Sequence, residues 1–141
     1  MNIAIIKDKE INIKEIIDKI ENENIGKIGC IISFIGVVRE MGRNGGRVSK
    51  LVYEVYSDEA LKRMNKIAEE TISKYGVVDV QIYHKTGEAA IGEETFYVFV
   101  AAKHRKEAFQ ALMEIVERVK HEVPIWKKEV TERGETWILN K

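Results

Sequence analysis

The sequence predicts an α+β fold whose core, over residues ~48–131, has the ferredoxin-like order strand, helix, strand, strand, helix, strand. Two observations predict it. Apolar residues recur at helical spacing in two long segments of this region, and in the segments around them they alternate or form short continuous runs, as strands do. A strand, a helix and a second strand precede this core, and a C-terminal hairpin follows it.

The first 47 residues predict a strand, a helix, a second strand and a glycine-rich loop. The helix is indicated by isoleucines at helical spacing between a possible cap, Asn12, and a stop, Gly26. The second strand is rich in β-branched residues, and we expect it to bend at its glycines. The strands are predicted at 3–6 and 27–39, and the loop, which we expect to be mobile, at 40–47.

The core elements follow from the same patterns. Ser57 and Asp58 offer a cap for the first core helix, and Gly76 ends it. Pro124 forbids the continuation of the second core helix. The core strands begin at 48, 77, 95 and 125, the second helix spans ~105–120, and the hairpin closes with a strand at 135–139.

The composition favours one globular domain over 1–141 and excludes several classes of protein. No apolar run approaches the ~20 residues of a membrane span. The 23 Lys and Arg residues balance 23 Asp and Glu residues, so no overall basic field favours nucleic acid. A single cysteine, Cys30, excludes an internal disulfide and a multi-cysteine zinc site. Since the N-terminus also reaches acidic residues too early for a secretory signal, we expect a cytoplasmic protein.

Positive charge is nevertheless concentrated in two segments. Residues 103–128 carry seven Lys and Arg against four Glu, a net +3, and residues 39–47 carry three Arg against one Glu, a net +2. Lys103, His104 and Arg105 stand at the predicted start of a helix, where the helix dipole disfavours cations. We interpret this cluster as a phosphate or carboxylate pocket. Solvated charges at a helix end are the alternative interpretation.

Lys120 and Lys127 form the second candidate cluster. Lys120 lies in the last turn of the predicted helix, and Pro124 turns the chain so that Lys127 can return beside it. On the strand, Lys127 and Glu129 share one face, whereas Lys128 takes the other. A lysine near other cations in a partly desolvated site loses its proton more easily and can serve as a nucleophile or general base. The alternative is a lysine pair in solvent.

The cysteine, the other histidines and the glycine-rich segment are weaker candidates for a catalytic or ligand-binding role. Cys30 lies in an apolar strand and is predicted to be a small buried hydrophobe. His84 is predicted to be structural, and His121 to favour the helix dipole or contact solvent. The three histidines and one cysteine have no zinc-ligand spacing, and GGR at 45–47 lacks the context of a nucleotide-binding loop.

Three motifs together carry a family resemblance. They are FIGVVRE at 34–40, AAKHRKEAF at 101–109 and KHEVPIWKKE at 120–129, and GETW follows the last of them. The combination resembles the MoaE family, the large, catalytic subunit of molybdopterin synthase, and implies its hammerhead-like α/β fold. The chain departs from the family's usual pattern at Lys85, where arginine is common after the histidine, and at SDEALKRM, 57–64. Neither departure touches the lysine pair.

The resemblance implies a sulfurtransferase of molybdenum cofactor biosynthesis that converts cyclic pyranopterin monophosphate (precursor Z) to molybdopterin. It implies that two dithiolene sulfurs arrive as the C-terminal thiocarboxylate of a small ubiquitin-like, MoaD-like subunit that ends in Gly-Gly. The pterin is then a substrate, and no cofactor or metal is expected. The family's pairing through its large subunits implies a homodimer with one small partner at each end, a heterotetramer.

The resemblance also assigns roles residue by residue. Lys120 and Lys127 match the two lysines considered catalytic in the family. Phe34, Pro124 and Trp126 are implied as walls around the incoming tail. The positions that line the pterin and phosphate pocket are Val37, Val38, Arg39, His104, Arg105, Lys128 and Glu129. The alternative function is a non-catalytic ferredoxin-like module that binds a phosphorylated small ligand through the same basic cluster.

Overall fold

The computed structural model describes residues 1–42 and 45–138, which contain three helices and eight strands. The helices are α1 (Ile13–Glu23), α2 (Ser57–Tyr75) and α3 (Arg105–Glu122). The strands are β1 (Asn2–Ile6), β2 (Cys30–Val37), β3 (Val48–Val55), β4 (Asp79–Lys85), β5 (Gly87–Ala90), β6 (Glu94–Ala102), β7 (Ile125–Thr131) and β8 (Gly134–Ile138). The α+β class, the added N-terminal strand, helix and strand, and the C-terminal hairpin are confirmed.

The strands form two four-stranded sheets. One has the order β1-β4-β6-β2 and the other the order β5-β3-β7-β8. β1 runs parallel to β4, and the remaining pairs are antiparallel. The predicted order βαββαβ is present as β3, α2, β4, β6, α3 and β7. A ferredoxin-like sheet would join β3 to β6, but here these two strands lie in different sheets.

β2 and β5, which are not among the six predicted core elements, explain this division. β2 occupies one edge of β6 along its whole length, and the short β5 occupies one edge of β3 opposite 50–53. β4 and β7 take the remaining edges. Because a strand has only two edges for hydrogen bonding, β3 and β6 cannot also pair with each other. The sequence predicted no strand at β5, which lies between the predicted strands that begin at 77 and 95.

β6 separates two apolar cores. Successive side chains of a strand point to opposite faces, so Val98 and Val100 join the larger core with α2 and α3, whereas Phe99 joins the smaller core with α1. All three side chains are fully buried. A continuous apolar run such as TFYVFVAA, 95–102, is the pattern expected of a strand that is covered on both faces.

Helix ends agree with the sequence in part. The Asn12 side chain accepts a hydrogen bond from the Glu15 N–H at 3.1 Å, and Gly76 ends α2 in the left-handed conformation with φ +67°. The predicted cap at Ser57 and Asp58 is wrong, because both residues already lie inside α2 and Tyr56 precedes them without a capping side-chain hydrogen bond. No helix in the described ranges is long and apolar enough to cross a membrane.

The structure describes both ends of the glycine-rich loop, residues 40–42 and 45–47. Met41 and Arg47 form a β-bridge, and the Gly42 N–H donates to the Gly46 carbonyl at 2.9 Å. The middle of the loop, including Arg43, which contributes to the predicted positive charge, lies outside the described residues. The expectation that the loop is mobile stays a prediction.

A charged cluster joins α2 to α3 on the surface. The Glu114 carboxylate accepts hydrogen bonds from Lys74 Nζ at 2.7 Å and from the Tyr75 hydroxyl at 2.8 Å. Arg118 lies 3.7 Å from the other oxygen of the same carboxylate. The hydrogen bond from Lys74 is the main reason that the pKa of the Glu114 carboxyl is lower than its ordinary value.

We predict that E114Q lowers the free energy of unfolding by about 0.5–1 kcal/mol at pH 7. Because the Glu114 pKa is lower in the folded chain, the ionised carboxylate stabilises the fold above the unfolded pKa of ~4.3, and this stabilisation is lost as the pH falls through the folded pKa. Urea unfolding at pH 7 and pH 3 measures the difference, with E69Q on exposed Glu69 of α2 as control. An equal E114Q effect at both pH values contradicts the prediction.

Candidate active site

A cavity of about 380 Å³ opens between the two sheets. β2, β4 and β6 line it from one sheet, β3 and β7 from the other, and the end of α3 adds further side chains. It therefore lies where β3 and β6 fail to pair. Its apolar lining consists of Phe34, Ile35, Val37, Val38, Leu51, Phe96, Val119 and Ile125.

Lys120 and Lys127 both line this cavity. Lys120 stands in the last turn of α3, where its Nζ lies 5.8 Å from the centroid of the Phe34 ring. The chain leaves the helix at Val123 in an extended conformation, and Lys127 then lies on β7 opposite Tyr53. The turn at Pro124 thus brings the two lysines to one cavity from two different elements.

Four of the residues carried over as substrate-binding also line the cavity, namely Val37, Val38, Arg39 and Glu129. The first three follow one another at the end of β2. Glu129 is two residues beyond Lys127 on the same face of β7, and it is only 4% exposed. A buried carboxylate therefore faces the same space as the lysine amines.

Lys128 faces away from the cavity. Its Nζ lies 3.3 Å from a carboxylate oxygen of Glu135 and 5.4 Å from the centroid of the Trp137 ring. Trp126, which the resemblance implied as a wall, is 43% exposed and does not line the cavity. The strand period of two places both residues on the outer face of β7. Any binding role of Lys128 stays a prediction.

His104 and Arg105 lie in a different hollow. This hollow has a volume of about 420 Å³ and is formed at the start of α3 with Gly29, Cys30, Lys103 and Lys106. His104 precedes the first helical turn and makes no side-chain capping hydrogen bond. The cationic cluster predicted from the sequence thus exists, but it is separate from the cavity that holds the lysines. The proposed phosphate-binding roles of His104 and Arg105 stay predictions.

Sequence reasoning missed three polar side chains of the cavity: Tyr53, His84 and Thr95. The Tyr53 hydroxyl lies 3.3 Å from Thr95 Oγ1. The His84 ring lies edge-to-face with that of Tyr53, with 5.0 Å between centroids, and its Nδ1 is 2.8 Å from the Lys85 carbonyl oxygen. The sequence did contain one signal for these residues. The alternation of apolar and polar residues along the strands places Tyr53 and His84 on buried faces, but it does not show that two strands of different sheets meet.

Burial raises the pKa of the Tyr53 hydroxyl. The negative charge of Glu129 acts in the same direction, whereas the hydrogen bond with Thr95 acts against it. Tyr53 is therefore a neutral hydroxyl at physiological pH. Within residues 1–42 and 45–138, no three His, Cys, Asp or Glu side chains are grouped as metal ligands.

The family model described as MoaE protein matches residues 6–122. The chain belongs to the MoaE family. It is similar to the molybdopterin synthase catalytic subunit of Pyrococcus abyssi, at 43% identity over 132 residues that cover 94% of this chain and 86% of the relative. The Bacillus subtilis subunit of the same name is 41% identical over 128 residues, 91% of this chain and 79% of that one.

A solved structure is similar over nearly the same range. The crystal structure of molybdopterin synthase from Staphylococcus aureus has a TM-score of 0.80 and 32% sequence identity, and the match covers 97% of this chain and 95% of that one. The family resemblance and the α/β architecture are therefore confirmed by both sequence and fold.

In this MoaE chain, Gly42 packs directly against the buried carboxylate of the cavity. A Cβ atom on Gly42 would lie 3.0 Å from Glu129 Oε1, 3.0 Å from Val48 Cγ2 and 3.2 Å from Thr131 Cγ2. These separations are shorter than ordinary carbon contacts. The start of the glycine-rich loop thus rests on Glu129, and a larger residue there must displace the loop or the carboxylate.

We predict that G42A lowers the free energy of unfolding by about 1–3 kcal/mol, because the added methyl group overpacks this contact. Urea unfolding measures the change. T131S removes the nearby methyl group and keeps the hydroxyl, so G42A should destabilise the T131S chain less than the wild type. The prediction is wrong if G42A unfolds at the wild-type midpoint.

Proposed function

We propose that this chain is the catalytic subunit of a molybdopterin synthase, a sulfurtransferase that converts cyclic pyranopterin monophosphate to molybdopterin in molybdenum cofactor biosynthesis. The observation that carries the proposal is the placement of Lys120 and Lys127 in one cavity of a chain that belongs to the MoaE family. The relatives from Pyrococcus abyssi and Bacillus subtilis bear the name of this subunit.

The proposed reaction replaces oxygen by sulfur at two carbons of the pterin side chain. In each transfer the thiocarboxylate sulfur forms a C–S bond to the pterin carbon while a C–O bond at that carbon breaks, and the displaced oxygen leaves as water or stays on the phosphate. Water then cleaves the acyl C–S bond of the resulting thioester, which leaves the sulfur on the pterin and a carboxylate on the carrier. The lysine ammonium groups attract both anionic reactants into the cavity. Lys127, on the strand beside buried Glu129, is the better candidate for direct acyl or proton transfer, and either lysine can hold the thiocarboxylate.

Substrate binding is proposed for the residues at the end of β2 and on β7. Val37, Val38 and Arg39 form the part of the cavity that reaches solvent at Arg39, which supplies a guanidinium for phosphate. Glu129 is proposed to bind the substrate from the inner side of the cavity. His104 and Arg105 are proposed to bind anionic groups of the substrate from the second hollow, and Lys128 from the outer face of β7.

The proposal includes a partner subunit, an oligomeric state and a cellular compartment. The sulfur carrier is a small ubiquitin-like, MoaD-like subunit whose C-terminal Gly-Gly is narrow enough to enter a cavity between two sheets. Two copies of this chain pair, and each binds one carrier, to give a heterotetramer in the cytoplasm. The pterin is the substrate, and the proposal includes no cofactor.

We predict that K120A and K127A each lower the rate of dithiolene formation by at least about 100-fold, because each removes a cation and proton-transfer group from the cavity. The assay combines the protein, a thiocarboxylated carrier and the cyclic pterin precursor. K50A is the matched control, since Lys50 lies outside the cavity and pairs with Glu88 at 2.7 Å. Its rate should stay within about threefold of the wild type.

Unchanged rates in both K120A and K127A, with unfolding midpoints like that of the wild type, contradict the assigned roles. Binding of the pterin by the wild type without any dithiolene product contradicts the enzyme itself. That second result favours the non-catalytic module for a phosphorylated ligand.

A further inference from the structure

Apart from Glu129, the most deeply buried polar side chains of the cavity belong to Tyr53, His84 and Thr95. Tyr53, His84 and Thr95 are 8%, 6% and 3% exposed, and we call these three residues the polar floor. Arg39 is exposed, and the two lysines are half-buried. The cations of the cavity therefore stand nearer to solvent, and the polar floor lies behind them.

The hydroxyls of Tyr53 and Thr95 form only a long hydrogen bond with each other. Their oxygens are 3.3 Å apart, whereas an O–H···O hydrogen bond is typically about 2.7–2.8 Å long. Within the described ranges, each hydroxyl has only the other as its hydrogen-bond partner. Together Tyr53 and Thr95 carry two hydroxyl protons, of which their mutual contact uses one. One donor and several lone pairs are thus left to face the cavity.

The surroundings of the polar floor suit a flat heteroaromatic ring. The rings of Phe34 and Phe96 meet edge-to-face at 5.5 Å, and the His84 ring is tilted against Phe96 at 5.1 Å. Aromatic walls with a few fixed polar groups are typical of sites that bind a small heterocycle. A phosphate or thiocarboxylate, in contrast, needs cations, and neutral hydroxyls alone do not offset its charge.

The polar floor and the cations of the cavity match the two halves of the proposed substrate, its ring and its phosphate. A pterin presents N–H donors and N and O acceptors along one edge of its ring, and its phosphate lies at the other end. Burial keeps the Tyr53 hydroxyl protonated at neutral pH by raising its pKa, so it can donate to a ring nitrogen or oxygen. Thr95 can accept from a ring N–H while Tyr53 donates.

We propose that the hydroxyls of Tyr53 and Thr95 bind the polar edge of the pterin ring and select the heterocycle, while the cations nearer to solvent hold the anionic groups. The inference rests on the proposed function, which supplies the pterin. Tyr53 and Thr95 are on this basis specificity-determining residues of the cavity. They connect the two sheets at the point where the substrate binds.

The test uses 6-hydroxymethylpterin, which has the ring without the phosphate, and inorganic phosphate as separate probes. Y53F and T95V each remove one hydroxyl with little change in shape, and each should raise the Kd for the pterin roughly 5- to 20-fold. Phosphate binding should be unchanged. The matched controls are Y97F and T71V, whose hydroxyls bond to Glu94 and to carbonyls of α2, outside the cavity. Both should bind the pterin as the wild type does.

Wild-type pterin affinity in both Y53F and T95V overturns the inference. So does a wild-type protein that binds no pterin, or a loss seen only with a peptide that ends in Gly-Gly, since that result assigns the hydroxyls to the carrier's tail. Circular dichroism and urea unfolding identify a variant that fails to fold, in which case the other variant decides. The KM for the pterin precursor gives a second measure of the same binding.

The synthase assay separates this inference from the proposed function. If the wild type makes the dithiolene product while both variants keep the wild-type Kd and KM, only the role of the hydroxyls is wrong. If the wild type makes no product with a thiocarboxylated carrier, the proposed function itself is wrong, whatever the variants bind.

Discussion

The candidate site exists because β3 and β6 do not hydrogen-bond to each other. Each strand has both edges occupied by other strands, β5 and β7 in one sheet and β2 and β4 in the other. Where a single sheet would have packed these backbones about 5 Å apart, the two sheets leave a cavity of about 380 Å³. The side-chain contact between Tyr53 and Thr95 bridges β3 and β6 there.

The cations at the two ends of α3 differ in their local electrostatics. Lys120 lies in the last turn of α3, where the helix dipole favours a positive charge. Lys103, His104 and Arg105 stand at the opposite end of the same helix, where the dipole disfavours it. Local stability therefore explains the first placement but not the second, and a bound anion would offset the repulsion in the second.

The motifs that carry the family resemblance differ in how well they locate the site. FIGVVRE and KHEVPIWKKE both reach the cavity, because β2 and β7 bound it from opposite sheets. AAKHRKEAF forms the second hollow instead. Within KHEVPIWKKE the strand period separates Lys127 and Glu129 from Lys128, so a motif that is continuous in sequence is divided between two faces of one strand.

Local patterns in the sequence were sufficient for the order of the elements other than β5, the cap of α1 at Asn12 and the end of α2 at Gly76, because each depends on residues a few positions apart. The tertiary structure alone decided which strands pair, where β5 forms and which polar groups of different strands meet. Pairing depends on hydrogen bonds between backbones far apart in the chain, and alternation reports only which face of a strand is buried. Tyr53, His84 and Thr95 could therefore each be placed in a strand from the sequence, but their meeting in one cavity could not be predicted.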